Sequence, residues 1–202
     1  MSKRIALFGG SFDPPHLGHK ALVEAAFGHL ALDEVWVIPV GLPVHRQLSG
    51  KATPKQRLSW LASIFADEPR VRIVDWEVDQ NTPTPAIATL RRFRAENPDI
   101  VPLWLMGMDS FLDMCGWVEY PKHQDLCNVV VFARKGQTNT TKTMGWQHAK
   151  AISDAQGAGH VLFIQADLPD VSATKIRHNP SAYPSDLHPD TCKAILACYA
   201  SD

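Results

Sequence analysis

The sequence predicts a doubly wound α/β fold built on a mostly parallel sheet. Short runs rich in Val, Ile and Leu recur along the chain and mostly lack polar alternation, which is typical of strands buried on both faces. Between these runs lie segments whose apolar residues repeat at helical spacing. Strand and helix therefore alternate, and this order favours a parallel sheet with helices on both faces.

Six apolar runs are the predicted strands. They cover residues 4–8, 34–39, 71–74, 101–106, 128–133 and 160–164. Three long loops are predicted at residues 40–52, 75–83 and 135–143. Loops of such length in a compact domain are more often functional than idle.

Helices are predicted where a capping residue or a proline precedes a helical pattern of apolar residues. Such starts occur at Thr53-Pro54, Thr84-Pro85, Ser172-Ala173 and Pro189, in addition to a first helix whose apolar positions run from Leu22 to Leu30. At Thr53-Pro54 the signal is most complete, because Gln56 stands three residues after the cap and completes a capping box.

Length and composition bound the class of protein. With 202 residues, 45% of them hydrophobic, the chain fits one medium domain with a core of its own. We expect a single domain over residues 1–202, with a small C-terminal helical part from about residue 172. The net charge of −1 gives no basic surface for duplex nucleic acid, so nucleic acid is not an expected partner. The sequence leaves the oligomeric state open.

The first apolar run and the cysteines predict a cytoplasmic protein. The run from Ile5 to Phe8 is too short for a signal peptide, and no later segment reaches membrane-spanning length, so we expect no membrane partner. The cysteines form no C-x-x-C pair and predict neither a zinc ribbon nor a thioredoxin motif; they are Cys115, Cys127, Cys192 and Cys198. We expect them to be reduced, and no metal site built from protein side chains.

The most informative segment, residues 9–19, follows the first strand and leads into the first helix; it reads GGSFDPPHLGH. Open α/β sheets bind ligands at the carboxyl ends of their strands, and Gly9 and Gly10 let the backbone approach a ligand closely. His16 and His19 are three residues apart, so a helical turn places both on one face beside a helix N-terminus, which favours anions. Two imidazoles there can donate to phosphate oxygens and carry charge as negative charge builds up.

Other interpretations of this segment are open on these residues alone. A zinc site at His16 and His19 needs a third ligand, and nothing nearby supplies one. The run lacks the Gly-Lys-Ser/Thr ending of a P-loop, and it is not the G-x-G-x-x-G dinucleotide fingerprint. A plain Gly/Pro turn carrying two solvated histidines is the remaining structural alternative.

Two motifs far apart in the chain resemble a single family. Residues 10–14, followed by His16-x-x-His19, resemble the H-x-G-H-type signature of the nucleotidyltransferase superfamily related to class I aminoacyl-tRNA synthetases. The doubled glycine and the form of this run resemble the corresponding motif of the nicotinate-nucleotide adenylyltransferases in particular. Residues 171–177, VSATKIR, are similar to the second signature of the superfamily, a Ser/Thr-rich turn ending in Ile-Arg. The resemblance implies a Rossmann-like nucleotidyltransferase fold.

Segments between the two motifs resemble the same family, although some residues depart from its pattern. The similar segments are residues 43–46, 106–110, 132–136, and Trp117 with Tyr120. Ser11 replaces a common Thr, Arg46 a common Lys, and Lys135 a common Pro. Pro85 and Ala86 stand where the family often has Tyr and Thr, which removes side chains near the pyridine ring; a backbone contact from Ala86 survives the change.

The resemblance implies an adenylyl transfer. A phosphate oxygen of nicotinate mononucleotide attacks the α-phosphorus of ATP, and pyrophosphate leaves in line, giving deamido-NAD for NAD biosynthesis. Both substrates are anions, so the protein has to hold them together and offset their charge. Mg²⁺ accompanies ATP as the expected cofactor and bridges phosphate oxygens with few direct protein ligands.

The same resemblance implies the residues of the site. The expected catalytic residues are His16, His19 and Arg177. The expected ATP-binding residues are Gly9, Gly10, Ser11, Phe12, His16, His19, Gly107, Asp109, Ser172, Thr174 and Arg177. The expected mononucleotide-binding residues are Arg46, Thr84, Ala86, Trp117 and Arg134. In this scheme Asp109 accepts from ribose hydroxyls and Trp117 stacks on the pyridine ring.

Several of these residues have a simpler structural alternative. Ser172 and Asp109 are also suitable helix caps, Arg177 suits a surface ion pair, and Trp117 suits the core.

Competing functions are the same chemistry on nicotinamide mononucleotide or phosphopantetheine, and a non-catalytic nucleotide-binding protein. The phosphopantetheine enzymes usually show one glycine and a Thr-Asn-Gly-His ending, where this chain has Pro-His-Leu-Gly-His. A protein that only binds nucleotides has no need of transition-state groups, which argues against the last alternative.

Overall fold

The computed structural model describes residues 3–44, 48, 51–80, 82–134 and 143–200. Within these ranges, seven strands form one sheet in the order β3-β2-β1-β4-β5-β7-β6, and every neighbouring pair is parallel. The strands are β1 Ile5–Gly10, β2 Glu34–Pro39, β3 Val71–Ile73, β4 Leu103–Gly107, β5 Asn128–Arg134, β6 Gln147–His148 and β7 His160–Ala166. The predicted doubly wound parallel fold is confirmed, although no pattern in the chain predicted the two-residue strand β6.

Helices cover both faces of this sheet. They are α1 Leu17–His29, α2 Pro54–Ile64, α3 Ala86–Glu96, α4 Met108–Leu112, α5 Ala173–His178 and α6 Pro189–Tyr199, with short 3-10 turns between some of them. None of the helices in the described ranges combines the length and apolar character needed to cross a bilayer.

The core lies in two layers because successive side chains of a strand point to opposite faces. In β1, Ala6 and Phe8 pack in the layer that contains α1 and α2 residues, whereas Ile5 and Leu7 pack in the layer that contains α3 and α4 residues. Both faces of β1 are therefore buried, which explains why the sequence of this strand is apolar without alternation.

Local capping determines where the helices begin. Thr53 caps α2 as predicted: its hydroxyl accepts from the Gln56 N–H at 3.2 Å, and the Gln56 side chain accepts from the Thr53 N–H at 2.9 Å. At α3 the prediction was one residue early, because Pro85 is itself the extended N-cap residue (φ −74°, ψ 148°) and Ala86 is the first helical residue. Thr84 therefore does not cap this helix.

The segment after β7 is helical and packs beside α2. A small cluster of buried side chains joins α5 and α6 to α2; it comprises Ala52, Trp60, Val171, Ile176, Leu187, Ile195 and Tyr199. The C-terminal helices are thereby held close to the carboxyl end of β1, where the first sequence motif begins.

The chain continues from β1 to β2 on one side and from β4 to β5 on the other, so the strand order reverses between β1 and β4. In open α/β sheets the crevice outside the carboxyl ends of two such strands is the usual ligand site. Here these ends are Gly10 and Gly107. The fold therefore places residues 9–19 at the expected position of a ligand.

Candidate active site

The turn that follows β1 is tightly constrained. Gly9 packs against Trp104, since a Cβ added at Gly9 would lie 2.8 Å from the indole ring. Phe12 adopts a left-handed backbone conformation with φ +46°, which costs a non-glycine residue on the order of 1 kcal/mol. Its buried ring packs edge-on against Phe8 and His19, with centroid distances of 5.3 and 4.8 Å. Only the backbone of Phe12 is therefore available to a ligand in this conformation.

The two motif histidines form one compact unit. His16 is the N-cap residue of α1, and the rings of His16 and His19 stack with their centroids 3.7 Å apart. The backbone N–H of His16 donates to Nδ1 of His19 at 3.1 Å. Because Nδ1 accepts this bond, the proton of a neutral His19 must lie on Nε2, which leaves that nitrogen as a donor. The predicted shared face is confirmed for this pair.

Both histidines are neutral at pH 7 in the free protein. Burial lowers the pKa of His16 to about 4, and the Arg134 guanidinium adds to this effect. Burial, and then the neighbouring His16, hold the pKa of His19 well below its ordinary value. An arriving triphosphate would raise both pKa values by its negative charge. The histidines therefore begin as neutral donors and gain charge only with the ligand.

Residues of the second motif lie directly against the first. The Arg177 guanidinium donates to the backbone carbonyl of Asp13, 164 positions away in the sequence, and to the Thr174 hydroxyl at 3.1 Å. A Cβ added at Gly18 would lie 3.5 Å from the Cβ of Val171, so the start of α1 also packs against the second motif. The two signatures thus form one polar surface, which we call the phosphate side; it comprises His16, His19, Ser172, Thr174 and Arg177.

Two phosphate-side candidates also have structural roles. Ser172 caps α5, since its hydroxyl accepts from the Lys175 N–H at 3.4 Å. Arg134 forms an ion pair with Asp170 and donates to the Val171 carbonyl at 3.3 Å. Arg134 therefore lies beside His16 and the second motif, and it does not line the cavity that Thr84, Ala86 and Trp117 line.

A cavity of about 580 Å³ opens beside the same turn. It is lined by Gly9, Gly10, Ser11, Val40, Pro43, Val44, Glu77, Thr84, Pro85, Ala86, Trp104, Ser110, Asp113, Gly116, Trp117 and Val118. Six of these were expected from the sequence: Gly9, Gly10, Ser11, Thr84, Ala86 and Trp117. Its volume falls in the range typical of small-molecule sites.

The remaining predicted residues do not line this cavity or are not described. The phosphate-side residues, Phe12 and Arg134 lie around it, next to the turn or the second motif. Gly107 and the exposed Asp109 lie at the carboxyl end of β4, adjacent to the lining residue Ser110. Arg46 lies outside the described residues.

Aromatic side chains and one helix end form a wall of the cavity that we call the ring side: Thr84, Ala86, Trp104 and Trp117. The indoles of Trp104 and Trp117 meet edge-on with centroids 6.3 Å apart, and Trp117 is half-buried. Ala86 is the first residue of α3, and the first N–H groups of a helix have no intrahelical acceptor. The ring side therefore combines flat apolar surfaces with backbone donors in the positive field of a helix N-terminus.

Glu77, which the sequence reading did not select, also lines the cavity. Its carboxyl group is buried and accepts a hydrogen bond from the Thr89 hydroxyl at 2.6 Å. Burial raises the pKa of Glu77 to about 7, against the smaller opposite effect of the Thr89 bond. Near neutral pH this carboxyl is therefore only partly ionised, and it repels an anionic ligand less than an ordinary glutamate would.

Arg57 is a second residue that the sequence reading missed. It is fully buried in α2, and its guanidinium donates to the carbonyls of Ser11, Val40 (2.7 Å) and Gly41 (3.2 Å). A detectable signal was its position, since Arg57 begins the apolar stripe that continues at residues 60, 61 and 64 of the same helix. A charged residue on such a stripe requires buried acceptors, and here they are the ends of β1 and β2.

The described side chains do not form a ready-made metal site. In the ranges that the structure describes, no group of three or more His, Cys, Asp or Glu side chains could hold a metal ion. Mg²⁺ commonly keeps several waters and binds through substrate phosphates with one or two protein ligands.

The chain belongs to a known class of nucleotide-handling proteins and to one family within that class. The model of the cytidylyltransferase-like family matches residues 7–179, and the chain belongs to that family, within the nicotinate-nucleotide adenylyltransferases. A relative from Shewanella frigidimarina is 30% identical over 86% of each chain. One from Serratia proteamaculans is 33% identical over 85% of this chain and 82% of its own. Both carry the name "Probable nicotinate-nucleotide adenylyltransferase".

Solved structures are similar to the whole fold. Nicotinic acid mononucleotide adenylyltransferase of Plasmodium falciparum, complexed with NaAD, has a TM-score of 0.72 and covers 98% of this chain and 96% of its own. The same enzyme complexed with APC has a TM-score of 0.67. Sequence identity to each is 16%, so these structures show a shared fold and do not by themselves assign the site.

Proposed function

We propose that the protein transfers AMP from ATP to nicotinate mononucleotide, producing deamido-NAD and pyrophosphate in NAD biosynthesis. The observation that carries this proposal is the junction of two sequence motifs beside one cavity. Arg177 donates to the Asp13 carbonyl, so the second motif closes on the turn whose Gly9, Gly10 and Ser11 line the cavity. One side of the site carries hydrogen-bond donors for phosphate groups, and the other is a cavity lined by flat aromatic side chains. This arrangement fits an enzyme that joins two nucleotides.

In this proposal the phosphate side binds and activates ATP. The Nε2–H of His19 and the ring of His16 donate to phosphate oxygens around the α-phosphorus and offset the charge that builds up in the transition state. Arg177, already aimed by Thr174 and the Asp13 carbonyl, grips β- and γ-phosphate oxygens with its remaining N–H groups. No covalent intermediate is needed, because positioning and charge stabilisation account for this class of transfer.

Mg²⁺ belongs to the ATP substrate in this scheme. When bound, it neutralises phosphate charge and favours departure of pyrophosphate. Gly107 and Asp109 serve the nucleotide sugar, with Asp109 accepting from ribose hydroxyls. Arg134 and Arg46 are the proposed partners of the mononucleotide phosphate or of pyrophosphate. A cytoplasmic location, with access to ATP, completes the proposal.

The ring side receives the pyridine mononucleotide. Trp117 stacks on the pyridine ring, and its edge-on contact with Trp104 fixes the plane of the indole. The backbone N–H groups at the start of α3 donate to the carboxylate of the ring. A carboxylate only accepts hydrogen bonds, whereas a carboxamide also presents donors that would oppose those N–H groups. The site should therefore prefer the acid over the amide.

Pyrophosphate release tests the function directly. Purified protein is supplied with ATP and Mg²⁺, and with nicotinate mononucleotide, nicotinamide mononucleotide or phosphopantetheine in parallel. We expect kcat/KM for nicotinate mononucleotide to exceed that for the amide by at least about tenfold, which corresponds to about 1.4 kcal/mol. Equal values or a preference for the amide would move the assignment to the nicotinamide mononucleotide enzyme. No release with any acceptor would favour a nucleotide-binding protein.

A further inference from the structure

A buried polar network lies beneath the turn that follows β1. Its centre is the carboxylate of Asp13, which is 2% exposed and accepts a hydrogen bond from the hydroxyl of Tyr199. The Arg57 guanidinium, also buried, lies close enough that Asp13 opposes the lowering of the Arg57 pKa by burial. An acid and a base buried together offset each other's desolvation, and so this cluster can persist in the interior.

The network joins the two substrate regions. Arg57 donates at once to Ser11 at the end of β1 and to Val40 at the end of β2, and both of these residues line the cavity. One rigid guanidinium therefore fixes the separation between the turn that faces ATP and the loop that borders the cavity. A displacement of Arg57 would move both regions together.

Tyr199 brings the end of the chain into this network. It is the last residue of α6, is 1% exposed, and lies 186 positions from Asp13 in the sequence. Its ring packs near Trp60 of α2, with centroids 6.4 Å apart. Arg177 of α5 meanwhile donates to the backbone carbonyl of the same Asp13. The two C-terminal helices thus hold one residue of the turn by its side chain and by its main chain.

The turn requires such support because its backbone is strained at one position. Phe12, immediately before Asp13, is held at φ +46°, a conformation that persists only where the surroundings determine it. A loosened Asp13 would let Phe12 relax and would displace the backbone of Ser11 and the histidine pair that follows.

We propose that Tyr199 is a positioning residue: through Asp13 and Arg57 it holds the nucleotide turn in the geometry that binds ATP productively. The inference rests on the proposed adenylyl transfer for its kinetic consequences, although Tyr199 itself touches no substrate. It assigns the C-terminal helix a role in the chemistry, beyond filling the small cluster beside α2.

The test removes one oxygen atom. Tyr199→Phe keeps the packing against Trp60 and deletes only the hydroxyl. The matched control is Tyr183→Phe, which removes the same atom from a half-buried tyrosine of the same C-terminal cluster. We expect Tyr199→Phe to lower kcat/KM for ATP by about tenfold, with KM for the mononucleotide changed less. Its Tm should fall below that of the control, because the buried Asp13 carboxylate loses a hydrogen bond, so rates are compared well below both unfolding midpoints.

A double-mutant cycle shows whether Tyr199 acts through Asp13. Asp13→Ala leaves the Tyr199 hydroxyl without its acceptor, so if Tyr199 acts through Asp13, Tyr199→Phe combined with Asp13→Ala is no slower than Asp13→Ala alone. Losses that multiply, or a Tyr199→Phe enzyme as active as Tyr183→Phe, would overturn the proposal. If the Asp13 variants do not fold, the comparison of the two tyrosine variants decides alone.

Binding of a non-hydrolysable ATP analogue separates this inference from the proposed function. Calorimetry on the wild type and both tyrosine variants needs no acceptor, and we expect only Tyr199→Phe to bind the analogue more weakly. Equal affinities in all three proteins would count against the positioning role. A wild-type protein that binds the analogue but releases no pyrophosphate would refute the proposed function and leave the positioning of the turn intact.

Discussion

On the phosphate side, polar side chains from two short motifs meet at one helix start; on the ring side, the wall is made of indoles, a helix end and a loop. His16 and His19 are three residues apart in the sequence, and the second motif reaches the turn before them through the hydrogen bond from Arg177 to the Asp13 carbonyl. The ring side instead draws Trp104 from β4, Trp117 from the segment after it and Ala86 from α3. The comparison shows that the chemical groups of the phosphate side are placed by short local motifs, whereas the shape of the ring side is produced by packing between distant elements.

The largest expected effect tests the phosphate side. His19→Ala should lower turnover by about 10²–10³-fold, because a donor positioned toward developing charge is lost, while the midpoint of urea unfolding changes little. Steady-state pyrophosphate release measures it. The control is His29→Ala, an exposed histidine of the same helix, which should leave turnover unchanged. A folded His19→Ala enzyme with near wild-type turnover would show that the stacked pair has no catalytic role.

Arg177 should have the next largest effect, and one confined to ATP. Arg177→Ala should reduce kcat/KM for ATP by about 10–100-fold through lost charge-assisted hydrogen bonds, and Arg177→Lys should recover only part, since an ammonium cannot match the guanidinium fork. Initial rates at varied ATP give the values. Lys175→Ala, an exposed residue in the same helix, is the control. If the rate depended on ATP concentration in the same way in Arg177→Ala and in the wild type, Arg177 would not bind ATP, and the two motifs would not form one ATP site.

Glu77 of the cavity wall should make the stability of the protein depend on pH. The folded state raises its pKa from 4.5 to about 7, so this contribution to stability is fully present below pH 4.5 and is lost as pH rises through about 7. Glu77→Gln cannot ionise; it should be more stable than wild type by about 3 kcal/mol at pH 8 and nearly equal at about pH 4. Urea unfolding at the two pH values measures the difference.

The control for Glu77 is Glu24→Gln, which changes an exposed glutamate on α1 and should leave the two stability differences close to zero. If Glu77→Gln were equally stable or less stable than wild type at pH 8, the ionised carboxylate of Glu77 would have to be stabilised in the folded protein. The conclusion that this carboxyl is only partly ionised near neutral pH would then be wrong.

The smallest expected effect belongs to the ring side. Trp117→Ala should raise KM for the mononucleotide by about tenfold, which is about 1.4 kcal/mol of lost stacking, while KM for ATP stays within about twofold. Trp117→Phe should recover most of the loss. Trp76→Ala, another half-buried tryptophan that does not line the cavity, controls for the loss of an indole. An equal rise in both KM values would mean that Trp117 stabilises the fold and does not stack on the pyridine ring of the mononucleotide.

The start of α3 shows where sequence reasoning about the ring side failed. Thr84-Pro85 looked like a cap followed by a first helical proline, as Thr53-Pro54 is at α2. At α3, Pro85 is instead the extended cap residue and the helix begins at Ala86. The same dipeptide can occupy either pair of positions because proline suits both backbone conformations, and only packing of the following helix decides between them.

The sequence by itself determined the parallel α/β fold and predicted the residues of the phosphate side. Buried strands need continuous apolar runs, and phosphate chemistry needs glycines, imidazoles and a guanidinium at fixed local spacing, so both leave a pattern in the chain. Tertiary structure alone decided the cavity wall, the burial that lowers the pKa of His16, and the buried group of Arg57, Asp13 and Tyr199. These depend on contacts between distant segments, whose energies arise from burial and shape, and such contacts have no fixed spacing along the sequence.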